Sequence, residues 1–410
     1  MAKLIGIHMI QNHSPANLNR DDLGVPKTCF FGGVLRSRIS SQCLKRSIRM
    51  SPQFDELGSL PRGVRTRQLA KLIAEGDPEL EARAERVIGM CGFAPNGGKS
   101  EASEEEAAEE GKRSKMLIFT TRAAIVAMAK SLKEGDARAD GELAQGFAAE
   151  IAGGTLAPDM ALFGRMLEPK TPGGNDRNGK EVRKVFNKVW QQHQERKTVE
   201  ASAQVAHAIS THEARPETDY YTARDDVHGD DAGAGYVGEA AFASACFYKY
   251  FSIDWGTLVG NLEGIANAEA VAQEVVAAFV QAATLVTPTG KQNSFAAHNP
   301  PDGILVEMRE TPLSYANAFA RPVVPGERDI VEQSVAQLSQ YVYDLDTGYG
   351  APSARCWFSP NGRYRLEVPP SGSKPALALA TKEVRSLDEL IAFAKQAVGS
   401  LPRPVAGAAR

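Results

Sequence analysis

Seven basic residues crowd into 18–49, LNRDDLGVPKTCFFGGVLRSRISSQCLKRSIR. They are Arg20, Lys27, Arg36, Arg38, Lys45, Arg46 and Arg49, set against only Asp21 and Asp22. Such side chains do their chemistry on phosphate, lysine as a point charge and arginine as a planar fork of donors. Their spacing gives them a surface. Ile39-Ser40-Ser41 predicts a helix start, with a serine at the N-cap accepting from free backbone amides. On the helix that follows, Gln42, Lys45, Arg46 and Arg49 fall at i, i+3, i+4 and i+7 and share one face. Leu44, Ser47 and Ile48 lie opposite. A helix N-terminus followed one turn later by cations suits phosphate oxygens. Gly32-Gly33 just upstream leaves room for a backbone to approach. By spacing alone, an ordinary amphipathic helix with a solvated face looks the same.

Other chemical signals are weaker. Asp21 and Asp22 are paired carboxylates of the kind that can bind Mg²⁺, but a turn or an ion pair with Arg20 explains them without chemistry. Gly174-x-x-x-x-Gly179-Lys180 has the outline of a P-loop, yet Glu181 stands where a Ser or Thr should meet Mg²⁺, and no apolar strand precedes it. It reads as a Gly-rich turn entering a basic helix over 180–197. Arg177, Lys180, Arg183, Lys184 and Lys188 there either touch nucleic acid or are solvated. His207 and His212 are a close histidine pair without a neighbouring Cys or third His, so no metal site is expected. Five cysteines without CxxC spacing argue against a zinc ribbon and suit reduced cytosolic thiols.

A scaffold must hold the basic stretch. At 410 residues, 43% hydrophobic and 24% charged, the chain suits two domains or one large elaborated domain. Its net charge is −3, so any nucleic-acid surface must be local. No apolar run reaches the length of a membrane span, and a soluble, cytoplasmic protein is expected. Residues 3–10 read as a buried strand broken by His13-Ser14-Pro15. Helical spacing recurs over 65–75, 79–90, 116–133 and 142–151, with an acidic loop between the second and third. Residues 203–210, 218–223 and 242–253 read as strands. Tyr248 and Tyr250 alternate with Phe247, Lys249 and Phe251, so aromatics occupy both faces of the last strand, as sheet core or as base-stacking platform. A helix over 268–283, a strand over 304–308, a helix over 327–343, a strand over 354–359 and a helix over 387–398 follow. The whole reads as α+β, with a strand–loop–helix opening of RRM-like or ferredoxin-like topology.

Three longer stretches carry a resemblance. IHMIQNHSPANLNRDDLGVPKT with FFGGVLRSRISSQCLKRSIR, then AHAISTHEARPETDYYTARDDV at 206–227, then GKQNSFAAHNP at 290–300 followed by TPLSYANAFARPV, resemble in order and spacing the type I-E CRISPR Cascade backbone subunit, the CasC family. The likeness implies an RRM-like palm at 1–60 and 200–410, helical fingers inserted at 61–199, and a β-hairpin thumb at about 208–240. It implies a subunit without catalytic activity or cofactor. Copies would polymerise head-to-tail along a CRISPR RNA, beside other Cascade subunits, and present the guide to target DNA. Carried onto this chain, the RNA contacts fall on Arg20, Lys27, Ser40, Gln42, Lys45, Arg46 and Arg49. Two apolar contacts beneath bases fall on Met166 in DMALFGRML and Val237 in Gly235-Tyr236-Val237-Gly238. Without the family, Met166 reads equally as a core methionine. The alternative is a Mg²⁺-dependent RNA endonuclease of the type III backbone kind using Asp21 and Asp22. DNA-contacting lysines that some relatives carry in the fingers are not evident over 133–153.

Overall fold

The computed structural model describes residues 4–57, 60–94, 114, 116–134, 139–154, 157–172, 177–193, 197–223, 236–324, 326, 328–368, 370, 375–380 and 382–401. The chain is α+β and divides into two compact units, one of residues 1–53, 203–256 and 272–410 and one of residues 54–202 and 257–271.

The first unit is built on a mixed ten-stranded sheet. Numbering the strands of this sheet alone, β1 is Leu4–Ala16, β2 Thr28–Phe31, β3 Val34–Ile39, β4 Ala203–Val205 and β5 Ala208–Ser210. Then come β6 Glu217–Ala223, β7 Tyr236–Asp254, β8 Gly303–Arg309, β9 Ala354–Phe358 and β10 Lys382–Val384. The order is β10-β9-β8-β1-β7-β5-β3-β2, with β4 and β6 also pairing with β7. Only β9 and β10 run parallel.

β1 pairs with β7 from Leu4↔Asp254 to His13↔Ala245, then shifts register to reach Ala16↔Ala243. The expected break at His13-Ser14-Pro15 is therefore a bulge inside a longer strand. A bulge accommodates Pro15, which has no N–H for the ladder. The Ser14 amide donates instead to Asn299 Oδ1 at 3.1 Å. β7 is long because it serves twice. Its C-terminal part lies in the sheet, and its N-terminal part pairs with β6 from Glu217↔Phe242 to Ala223↔Tyr236 as a hairpin.

Period-2 alternation sorts the core. Ile5, Ile7, Met9, Phe251 and Ile253 are buried on one face, and His8, Ile10, Tyr248 and Tyr250 on the other. Tyr248 meets Phe319, Phe251 meets Phe279, and His8 stacks on Tyr250. These aromatics are interior packing, so the base-stacking platform is ruled out for them.

β2 and β3 form a hairpin ahead of α1 (Ser41–Arg49), turning at Gly32 (φ 61°) and Gly33 (φ 82°). Two successive left-handed residues give the strand twist a two-residue hairpin requires, and glycine adopts them without cost. A Cβ on Gly32 would collide with Ala320 O. The backbone that the glycines admit is the chain's own.

The second unit is mainly helical, packing Ile73, Val87, Met128, Leu132, Phe147, Ile151 and Trp190. Two expected helices are shorter than their periodicity suggests. Val64–Thr66 pairs as a strand with Ile118–Thr120, so the flanking helices run only over Leu69–Ala74 and Arg122–Lys133. β-Branched Val64, Thr66, Ile118 and Thr120 favour the ladder. The Thr121 hydroxyl then caps the second helix at the Ala124 amide. The acidic stretch expected as a loop falls mostly at 95–113, outside the described residues.

Candidate nucleic-acid interface

The start of α1 is held from three directions. Ser40 is the N-cap, its Oγ accepting from the Cys43 amide at 3.3 Å. Asn19 Oδ1 accepts from the Ser40 amide at 2.8 Å, and Asn19 O from the Lys27 amide at 2.9 Å. His207 Nδ1 accepts from the Ser41 amide at 3.1 Å. The helix N-terminus is thus already engaged by protein groups. Leu44 and Ile48 are buried beneath it, Leu44 beside Ile39, Ala208 and Phe247. The predicted apolar underside is present.

The basic residues divide. Arg20 and Arg46 are exposed, and Lys27, Arg38 and Lys45 half-buried. Arg20, Lys27, Arg38 and Arg46 have no carboxylate partner among the described residues. Gln42 is exposed beside them. Arg49 is a correction: it is only 8% exposed, so the cationic face ends at Arg46. It lies in the last turn of α1, where the helix dipole favours a cation. Arg36 is a core residue, 0% exposed. It donates to Phe31 O at 3.2 Å, Ser210 O at 3.1 Å and Phe319 O at 2.7 Å, tying together three stretches of the resemblance. The 290–300 part of the third stretch joins through Gly290, whose added Cβ would lie 2.5 Å from Leu18 O, and through Asn299, whose backbone O accepts from Gln11 Nε2 at 2.5 Å.

A cleft of about 810 Å³ opens beside α1. Arg20, Asp21, Asp22, Arg46, Ser47, Met50, Thr287 and Gly290 are among its walls. Arg46 joins it to the Gln42 and Lys45 side of the helix. Asp21 is occupied locally: its Oδ1 accepts from the amides of Leu23 at 2.9 Å and Val25 at 3.1 Å. Among the described residues no group of three or more His, Cys, Asp or Glu is placed to hold a metal.

Both apolar residues are exposed, Met166 by 61% and Val237 by 61%. Met166 is therefore no core methionine. It follows Arg165, which is buried and donates to the carbonyls of Ile151 at 2.7 Å, Ala152 at 3.0 Å and Gly154 at 3.3 Å. Burial pulls the Arg165 guanidinium down to about 10. This clamp on a helix end fixes the two-residue strand Arg165–Met166. Val237 sits on the hairpin strand opposite Thr222, with Tyr220 and Tyr221 exposed on β6. Gly235 lies outside the described residues.

The histidine pair separates by role. His212 Nε2 accepts from the Cys246 amide at 3.1 Å and its Nδ1 lies 2.8 Å from Glu213 O, so both nitrogens are engaged. Of the P-loop outline, Gly179 and Lys180 lie in a helix, Arg177–Gln192, while Gly174 lies outside the described residues. Its Phe186, Val189 and Trp190 pack into the second unit's core while Lys180, Lys184 and Lys188 are exposed.

A family model described as CT1975-like protein matches residues 5–176 and 191–391. The chain belongs to the CT1975-like protein family. The stretch this match passes over, 177–190, falls within the basic helix Arg177–Gln192 of this family member. Among solved structures, a chain of a "CRISPR RNA-guided surveillance complex, pre-nicking" is 25% identical with a TM-score of 0.69, over 95% of this chain and 100% of that one. A chain of a "CRISPR RNA-guided surveillance complex" is 22% identical with a TM-score of 0.55, over 95% and 99%, and bears on the fold alone. No curated protein matches. No helix among the described residues is long and apolar enough to cross a membrane.

Proposed function

We propose that this CT1975-like chain is the CRISPR RNA-binding backbone subunit of a Cascade-type complex, of the type I-E (CasC) kind. The observation that carries the reading is the set Arg20, Lys27, Arg38 and Arg46, left without carboxylate partners among the described residues of a chain whose net charge is −3. The likeness to a chain of an RNA-guided surveillance complex supports it. In this reading the first unit is the RRM-like palm, the β6–β7 hairpin the thumb, and the second unit the fingers. Lysine and arginine grip phosphates, and exposed Met166 and Val237 fill gaps between unstacked bases without demanding a hydrogen-bond partner. Such contacts leave the guide free to vary in sequence and to pair with target DNA. Head-to-tail copies then make an open helical filament along the RNA, joined by other Cascade subunits.

The test is expression of the chain with its partner subunits and a CRISPR array. A filamentous complex carrying guide RNA supports the reading, and a chain that purifies free of RNA sinks it. Two unrelated guides of equal length should bind within about tenfold of each other. The chain acts without catalysis in this reading. An RNA endonuclease using Asp21 and Asp22 is disfavoured by the turn that already occupies Asp21. Mg²⁺-dependent RNA cutting that disappears in Asp22→Ala would reverse that preference.

A further inference from the structure

We propose that His207 is a further contact for an RNA phosphate, a neutral imidazole donating from Nε2 beside Lys27 and Arg38. The inference rests on the RNA-binding reading above.

His207 is exposed and lies between β4 and β5, where β3 and the start of α1 converge on it. Its Nδ1 accepts from the Ser41 amide at 3.1 Å, and Arg38 Nη1 lies 3.4 Å from the same nitrogen. A ring nitrogen that accepts carries no proton, so the neutral ring keeps its proton on Nε2. Nε2 has no hydrogen-bond partner among the described residues. Partial desolvation first, then the charges of Arg38 and Lys27, hold His207 below the ordinary histidine value, which favours the neutral ring at neutral pH. The backbone amide donating to one side of the ring polarises it and strengthens the Nε2–H as a donor on the other.

The chemistry of the cluster selects the ligand. Lys27 brings ammonium donors, Arg38 the guanidinium donors left over from Thr28 O at 3.2 Å and the ring, and His207 one N–H. None offers an acceptor, and neither cation has a carboxylate partner among the described residues. A metal ion would be repelled by both cations and finds the Nδ1 lone pair taken. An anion with several oxygens, such as a phosphodiester, fits a set made only of donors.

Two substitutions separate the two nitrogens. His207→Asn places an amide oxygen near Nδ1, keeping the acceptor for Ser41 and removing the outer donor. His207→Gln places an amide nitrogen near Nε2, keeping the donor and giving up the acceptor. Each is made in the full chain, and binding of fluorescein-labelled single-stranded RNA of mixed sequence is followed by anisotropy alongside thermal unfolding. His207→Asn should unfold like wild type yet bind about tenfold more weakly, the loss of one hydrogen bond to a charged group. Its salt slope should be unchanged, because a neutral donor releases no counterion. His207→Gln should bind nearly as wild type. A long-range ¹H–¹⁵N correlation of the wild-type imidazoles should report the Nε2–H tautomer for His207. Wild-type affinity in His207→Asn with weaker binding in His207→Gln would mean that the ring only caps the helix, and an Nδ1–H tautomer would equally overturn the proposal. If wild type binds no RNA at all, the parent reading falls and this one with it.

Discussion

Two groups of basic residues in the first unit are treated in opposite ways. Arg309 and Arg355 lie inside it, matched to Glu307 and Asp346. Glu307 Oε2 accepts from Arg309 Nε at 2.9 Å and Oε1 from Arg355 Nε at 2.6 Å. Asp346 takes Arg355 through both oxygens, at 2.7 and 2.9 Å, and Arg309 at 2.9 Å. Tyr315 donates to Glu307 at 2.8 Å. Around α1, by contrast, Arg20, Lys27, Arg38 and Arg46 stand at the surface with no such partners among the described residues. The first set is complete within the fold. The second is unfinished, and an external polyanion completes it. The comparison teaches that unmatched cations, rather than the number of cations, mark the surface.

The largest effect should come from breaking the matched set. Glu307→Ala leaves two buried guanidiniums to share the one carboxylate of Asp346 and should cost about 3 kcal/mol of stability in urea titration. Burial by itself would raise the Glu307 carboxyl, but the bonds and charges of His8, Arg355 and Arg309 outweigh it and hold the group well below the usual carboxylate range. A depressed carboxyl contributes stability above its unfolded value of 4.5, and this is lost as pH falls below that value. A Glu307→Ala protein as stable as wild type would break the comparison at its buried end.

Lys249 sharpens the contrast from a third position, inside the unit yet without a carboxylate partner among the described residues. It is 1% exposed, and burial lowers it from 10.5 to about 8, with Cys43 pulling weakly the other way. A lowered lysine adds stability only above its unfolded value of 10.5, and loses it as pH falls to about 8. At pH 7 the full penalty of about 3 kcal/mol is present. Lys249→Met should therefore gain about that much at pH 7 and abolish the rise in stability between pH 8 and 10.5. No gain would mean that the ammonium reaches water.

A smaller effect is expected at the rim of the unmatched set. Ser40→Ala removes the cap of α1 and should cost about 1 kcal/mol, whereas Ser40→Asn should cost little. Equal losses in the two variants would show that the hydroxyl matters for something other than capping.

Much of this was legible because it is local. The cap at Ser40, the inward Leu44 and Ile48, and the outward Gln42, Lys45 and Arg46 follow from a 3.6-residue period and one serine. The hairpin is absent from that reading: Gly32-Gly33 reads there as room for an approaching backbone, although the pair also suits a two-residue turn. What could not be read depends on distant partners. Arg36 counts as one more surface cation until its carbonyl partners appear, 174 and 283 residues away. Arg49 keeps the helical period but is closed off by packing. His207 looks like half of a weak metal motif because Ser41, which fixes its tautomer, lies 166 residues earlier.

The central claim is that the unmatched cations hold RNA phosphate, and the salt dependence of binding tests it most directly. Anisotropy of labelled single-stranded RNA should give a slope of log K on log salt near −3, about −0.7 for each of about four phosphates. Arg20→Glu with Arg46→Glu should make that slope shallower by about 1.4 and remove co-purifying RNA, with unfolding within about 0.5 kcal/mol of wild type. Arg49 is left intact because its burial would confound folding with binding. An unchanged slope with RNA retained in the double variant would contradict the account.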